Sequence, residues 1–271
     1  PAAAELATLP FYCDLLLGLS SKSGGKAGAV RMLDEQDLLA HAVDAMIDRE
    51  AEKLADGEAG FAWDVFSGAE TFADLAGLVE GMGHDRFMSV LERGHIHEVL
   101  RQIGRDRLIE LVEGIAHLVR CTSADPGSAE SLSVDEIQAL AALNTDVGLD
   151  RPVERRVPVA LVQLAFFGPG ARGGAVSFSH EIVADYLAAR HAARSIALDP
   201  DSPAALARAV GPRRDLEPVT RSIFVRTLAH ELARDPALAR AAAETAQSSR
   251  IPDAIRPNVA IVVRELERLL Q

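Results

Sequence analysis

The sequence has no GxxxxGK[ST] segment, and that absence excludes a self-contained phosphate-binding loop. The nearest approach, Gly24-Gly25-Lys26, runs into Ala27 where a Mg²⁺-binding hydroxyl is needed, so it reads as a flexible loop. Cysteine is almost missing. Cys13 and Cys121 stand alone, without the spacings of a disulfide framework or a zinc site, which fits a reducing cytoplasm. Apolar runs are short: Leu15-Leu16-Leu17 and Val157 to Phe167 fall well below the roughly 20 residues of a membrane span. Basic charge is scarce too. A net charge of -12 repels a phosphate backbone on average, so nucleic acid is not an expected partner. The densest basic clusters, Arg151 to Arg156 and Arg213-Arg214, read as exposed loops. GxSxG and HExxH are absent. His95 and His97 would diverge on a helix and so do not suggest a metal pair. His41, His84, His117, His191 and His230 read as isolated side chains. The acids spread over polar helix faces and read as solvated surface, so this chain alone is not expected to be an enzyme or to hold a metal.

What is abundant is hydrophobic and helix-forming. Hydrophobic residues make up 48% while aromatics make up 4%, and Ala- and Leu-rich windows form helix at low intrinsic cost. The fold class expected is therefore mainly α. Leu38, Leu39, Ala42, Val43, Met46, Ile47 and Leu54 form one stripe of a helix from Asp34 to Leu54. Leu108, Leu111, Val112, Ile115 and Leu118 do the same from Ile96 to Val119. Shorter helices are expected around Leu75 to Val79, Arg86 to Leu91 and, behind a capping box at Ser133 and Glu136, through Ile137 to Leu143.

The texture then changes. Leu161 to Phe167 and Ala175 to Phe178 are β-prone, separated by a turn read over Gly168-Pro169-Gly170 and Gly173-Gly174, and together they spell a hairpin. A helix is expected from His180 to Ile196, followed by helices over Pro203 to Val210, Leu216 to Leu232, Ala237 to Gln247 and Val259 to Leu270. Helices, a hairpin and a closing helix follow a winged-helix-like order. The expected organisation is a helical domain over 1–95, a winged-helix-like domain over 96–196 and a C-terminal helical region over 197–271.

The most specific segment is Phe178-Ser179-His180-Glu181-Ile182-Val183-Ala184-Asp185-Tyr186-Leu187-Ala188-Ala189. It resembles the FxH…[ED]YxAA signature that closes the winged-helix domain of NACHT and related STAND NTPases, with Asp185 where many members carry Glu. A weaker resemblance lies in Leu6 to Leu17, which is similar to the start of the helical domain after the NTPase core, with Leu9-Pro10 in place of the commoner Asn-Pro. The resemblance extends over roughly residues 1 to 196. It implies that His180 reaches the terminal phosphate of bound ADP and that Pro10 lies near the adenine.

On that resemblance the chain is the regulatory half of a signalling ATPase, closing on ADP and opening on nucleotide exchange as a conformational switch. Its implied cofactor is ATP or ADP with Mg²⁺, bound mostly by an upstream P-loop NTPase domain that is its main partner; homo-oligomerisation on activation is also implied. A first residue that is Pro1 rather than Met suits a piece of such a longer protein, and processing would give the same start. The alternatives carried by the residues are a winged-helix DNA-binding regulator and a helical scaffold or adaptor. Against the first, the Ser133 to Leu143 helix has Asp135 and Glu136 and no basic residue for base or phosphate contacts.

Overall fold

Alanine-rich stretches with few β-branched residues, set between Pro and Ser or Asp starts, give a mostly helical chain. The computed structural model describes residues 35–56, 96–121, 166–169, 176–213, 216–217, 219 and 222–271. In chain order the helices are α1 (Glu35–Asp56), α2 (Ile96–Cys121), α3 (Glu181–Leu198), α4 (Pro203–Val210), α5 (Ile223–Ala233), α6 (Pro236–Thr245) and α7 (Arg256–Leu269). The strands β1 (Phe167–Pro169) and β2 (Val176–Phe178) precede α3. The chain divides into two compact units, Pro1–Met46 and Ile47–Gln271, with the boundary inside α1.

In the first unit the α1 stripe of Leu38, Leu39, Ala42 and Val43 is buried as its periodicity predicts. In the second unit Ile47 and Ala51 continue it. There Asp48 accepts from Arg105 at 2.7 Å and Glu52 pairs with Arg101 at 3.7 Å, two exposed-face links to α2.

Helix α3 is the centre of the second unit, packing on α2, α4, α5 and β2. Val183, Ala184, Tyr186, Leu187, Ala188, Ala189, Ala192, Ala193 and Ile196 are buried, so the helix is covered over most of its circumference. The small side chains at 188, 189, 192 and 193 keep the neighbouring backbones close, while Leu187 and Ile196 fill the gaps between them.

Proline and a short polar side chain start the later helices. Ser202 accepts from the Ala205 N–H at 3.2 Å ahead of Pro203, and Asp235 accepts from the Ala237 and Leu238 N–H groups ahead of Pro236. Helix α4 stops at Gly211, whose φ of 67° and ψ of 179° suit a residue without Cβ. Its N–H reaches the Ala207 carbonyl at 3.0 Å.

Several expectations need correction. The hairpin forms, but Gly168 and Pro169 lie in β1 rather than in the turn, paired as Phe167 with Phe178, Gly168 with Ser177 and Pro169 with Val176. A two-stranded ladder asks for hydrogen bonds on one side only, so a proline without N–H is tolerated. The helix expected from Leu216 starts only at Ile223, where the buried Ser222 hydroxyl accepts from the Val225 N–H at 3.3 Å. Arg213, expected on an exposed loop, is buried. So are Glu50, Glu113 and Glu265, expected on solvated helix faces; each meets a cation, which is what lets a carboxylate leave water. The helices expected at 71–79, 86–91 and 133–143 lie outside the described residues, as do Pro10 and the Leu6 to Leu17 segment. Among the described residues no helix is long and apolar enough to cross a membrane.

Candidate functional site

The hairpin delivers the chain to α3 in a fixed direction. Phe166 and Phe167 are buried, and the Phe167 and Phe178 rings meet at 4.6 Å across the ladder. One residue further the Ser179 N–H donates to the Phe166 carbonyl at 2.9 Å, so pairing lasts until the step before the helix. His180 then takes the N-cap position with extended backbone, φ -140° and ψ 120°. Its carbonyl accepts from the Ala184 N–H at 3.1 Å, the first bond of the helix.

The His180 side chain is exposed and makes no capping bond to its own helix. The first-turn N–H groups of α3 have no partner within the helix and carry the positive end of the dipole. A helix start with a polar residue at its N-cap is a general setting for an anion. Glu181 in the same turn opposes that charge in part.

One helical turn inward the signature changes character. Asp185 accepts from Arg120 of α2 at 2.8 Å and from Arg213, after α4, at 2.9 Å. The Arg213 side chain is 1% exposed, and its guanidinium lies 4.5 Å above the Phe224 ring centre. Asn258 of α7 donates to the Gly211 and Arg213 carbonyls at 3.0 and 2.7 Å. The acid of the signature therefore ties α2, α3 and the turn after α4 together, and α7 holds that turn from the other side. Tyr186 is buried with Arg190 stacked 5.8 Å from its ring, and Ala188 and Ala189 are fully buried. Of the signature's residues, His180 is exposed and Asp185 is held by two guanidinium groups.

Below Asp185 the same helix pair carries two further contacts. His117 of α2 and His191 of α3 bring their rings to 4.8 Å, and His117 Nε2 is 3.1 Å from the Ala209 carbonyl of α4, to which it donates. Burial lowers the His117 pKa to about 4, with help from His191 and Arg213 and against the Ala209 and Arg208 carbonyls. Burial also lowers that of His191. One turn further, Glu113 is completely buried against Arg190 at 3.2 Å and against Arg194. The order of partners, 113 with 190 and 194, 117 with 191 and 120 with 185, shows that α2 and α3 run antiparallel.

Neither Glu113 oxygen accepts an aligned hydrogen bond, although both face guanidinium groups. Arg190 and Arg194 are 24% and 50% exposed and can turn to water if the acid is removed. Glu113→Met is therefore expected to hold stability within about 1 kcal/mol of the parent, or raise it, in urea unfolding. A loss of more than about 3 kcal/mol would show that the pair, and not the burial, dominates.

No sequence signal marked the His117–His191 pair, since each residue stands alone in its own segment. Likewise nothing local ties Asp185 to Arg120, 65 positions away. Among the described residues no group of three or more His, Cys, Asp or Glu side chains is arranged to hold a metal ion. A cavity of about 450 Å³ opens between the turn after α4 and α7, with Arg213, Glu217 and Asn258 among its lining residues. Its buried cation is engaged by Asp185, and its amide already donates to two carbonyls.

Comparisons with protein-family models, with curated proteins and with solved structures returned no match. The functional reading rests on the residues themselves.

Proposed function

We propose that this chain is the regulatory half of a NACHT- or STAND-type signalling ATPase, and that His180 touches the terminal phosphate of ADP held by a separate P-loop domain. The observation that carries this reading is the placement of His180: an exposed residue at the N-terminus of an 18-residue helix, presented by a hairpin. A winged-helix-like arrangement with the hairpin as wing and α3 as its closing helix accommodates that role, and Pro10 would approach the adenine. The residue pattern from Phe178 to Ala189 supports it independently of the geometry.

A bound nucleotide shifts two conformations only through contacts made in one and not in the other. A phosphate met by His180 in the closed form, and lost on exchange, supplies such a difference. Asp185 and Arg213 carry α3 and the helices after it as one body, so movement at His180 is transmitted to α5 and α7. Homo-oligomerisation through surfaces uncovered on opening is the output this mechanism implies.

The test uses the longer protein that includes the nucleotide domain. His180→Ala is expected to purify with at least tenfold less ADP than the parent, since a hydrogen bond to a charged group contributes about 1.5–3 kcal/mol. Its thermal midpoint without nucleotide is expected to be unchanged, because the side chain is exposed. The isolated 271-residue chain is expected to give no ATP or ADP heat in calorimetry at micromolar concentration; tight binding there would contradict the proposal.

A further inference from the structure

The antiparallel pairing of α2 and α3 places two imidazoles between two ionic clusters. On one side stand Glu113, Arg190 and Arg194, with Glu110 of α2 and Glu231 of α5 acting on Arg194. On the other stand Arg120, Asp185 and Arg213. From α4 only the Ala209 and Arg208 carbonyls face His117, and the Arg208 side chain is exposed. In each cluster a carboxylate is paired with two guanidinium groups. A proton added between them meets a neighbouring imidazole and Arg213.

We propose that the His117–His191 pair is a proton-operated latch: neutral, it holds α4 and the Gly211–Arg213 turn against α2 and α3, and protonated, it releases them. The contact at stake is the His117 bond to Ala209, in the last turn of α4. Release of that turn also loosens α7, which Asn258 fastens to Gly211 and Arg213. The latch acts within the unit Ile47–Gln271 and does not depend on the role assigned to His180.

The sign follows from linkage. A ring that titrates at its ordinary 6.5 when released and at about 4 when held binds its proton preferentially in the open form. The closed form is therefore favoured fully above pH 6.5, and the advantage disappears as pH falls from 6.5 to about 4. Between pH 7 and pH 5 this gives roughly a twentyfold rise in opening.

Hydrogen exchange on the full chain at pH 7 and pH 5, corrected for intrinsic rates, reads it directly. The amides of α4 and Gly211 are expected to lose about twentyfold protection at pH 5 in the parent. In His117→Gln, whose amide can still donate to Ala209 without gaining a proton, the loss is expected to be below about threefold. Equal losses in parent and variant would overturn the proposal, as would unchanged protection in the parent. Should His117→Gln fail to fold, proton NMR of the parent decides: a His117 ring neutral down to about pH 4 supports the latch, and one titrating at its ordinary 6.5 overturns it.

Discussion

Asp185→Ala is expected to lower the stability of the Ile47–Gln271 unit by about 3–5 kcal/mol, the usual result of stranding a buried charge. The partner left behind decides the size. Arg120 is 12% exposed and can find water at modest cost, but the Arg213 side chain is 1% exposed and pinned above Phe224. Asp185→Asn keeps an acceptor in place and is expected to lose about half as much. Adding Arg213→Met to Asp185→Leu removes both charges and should recover most of the loss, because an apolar pair of similar volume replaces ions that were costly to desolvate. Urea unfolding of the four proteins gives the comparison; a double variant no better than Asp185→Ala would show that the ion pair stabilises in its own right.

The second large effect is expected at Phe224. Its ring is completely buried in α5, beside the helix at the centre of the unit, and it is also the surface on which the Arg213 guanidinium lies. Phe224→Ala is expected to lose about 3–5 kcal/mol, combining lost transfer energy with an unfilled cavity. Phe224→Leu restores most of the volume without the π-face, and its smaller loss combines a residual cavity with the lost cation–ring contact, about 0.5–2 kcal/mol. The Phe224 and Asp185 substitutions share Arg213 and should not add: their combined loss is expected to fall short of the sum by at least about 0.5 kcal/mol. Strict additivity would place the two contacts in separate networks.

Both results bear on how the signature from Phe178 to Ala189 divides its work. Periodicity made α1, α2 and α3 legible, because their stripes repeat over many turns. Helix α4 was legible over its whole length for the same reason, with Ser202 before it and Gly211 after it. The hairpin was legible too, but its strand reached through Gly168 and Pro169, residues that locally favour a turn. Charge was read least well. Arg213, Glu113 and Glu50 looked like surface because local pattern shows polarity and not partners. The ion pairs that bury Arg213 and Glu113 join segments far apart in the chain, as does the contact of His117 with His191, and folding alone brings them together. His180 was picked out by the company it keeps, and it lies exposed at the head of α3.

Altering Asp185 should destabilise the unit, whereas altering His180 should leave the fold intact. The most direct measurement is the rate at which the proposed longer protein, with its nucleotide domain, releases fluorescent ADP, compared between parent and His180→Ala at equal thermal stability. The account predicts release faster by about ten- to a hundredfold, the kinetic equivalent of one lost charge-assisted hydrogen bond. Identical release rates would contradict a phosphate contact by His180 and with it the proposed switch.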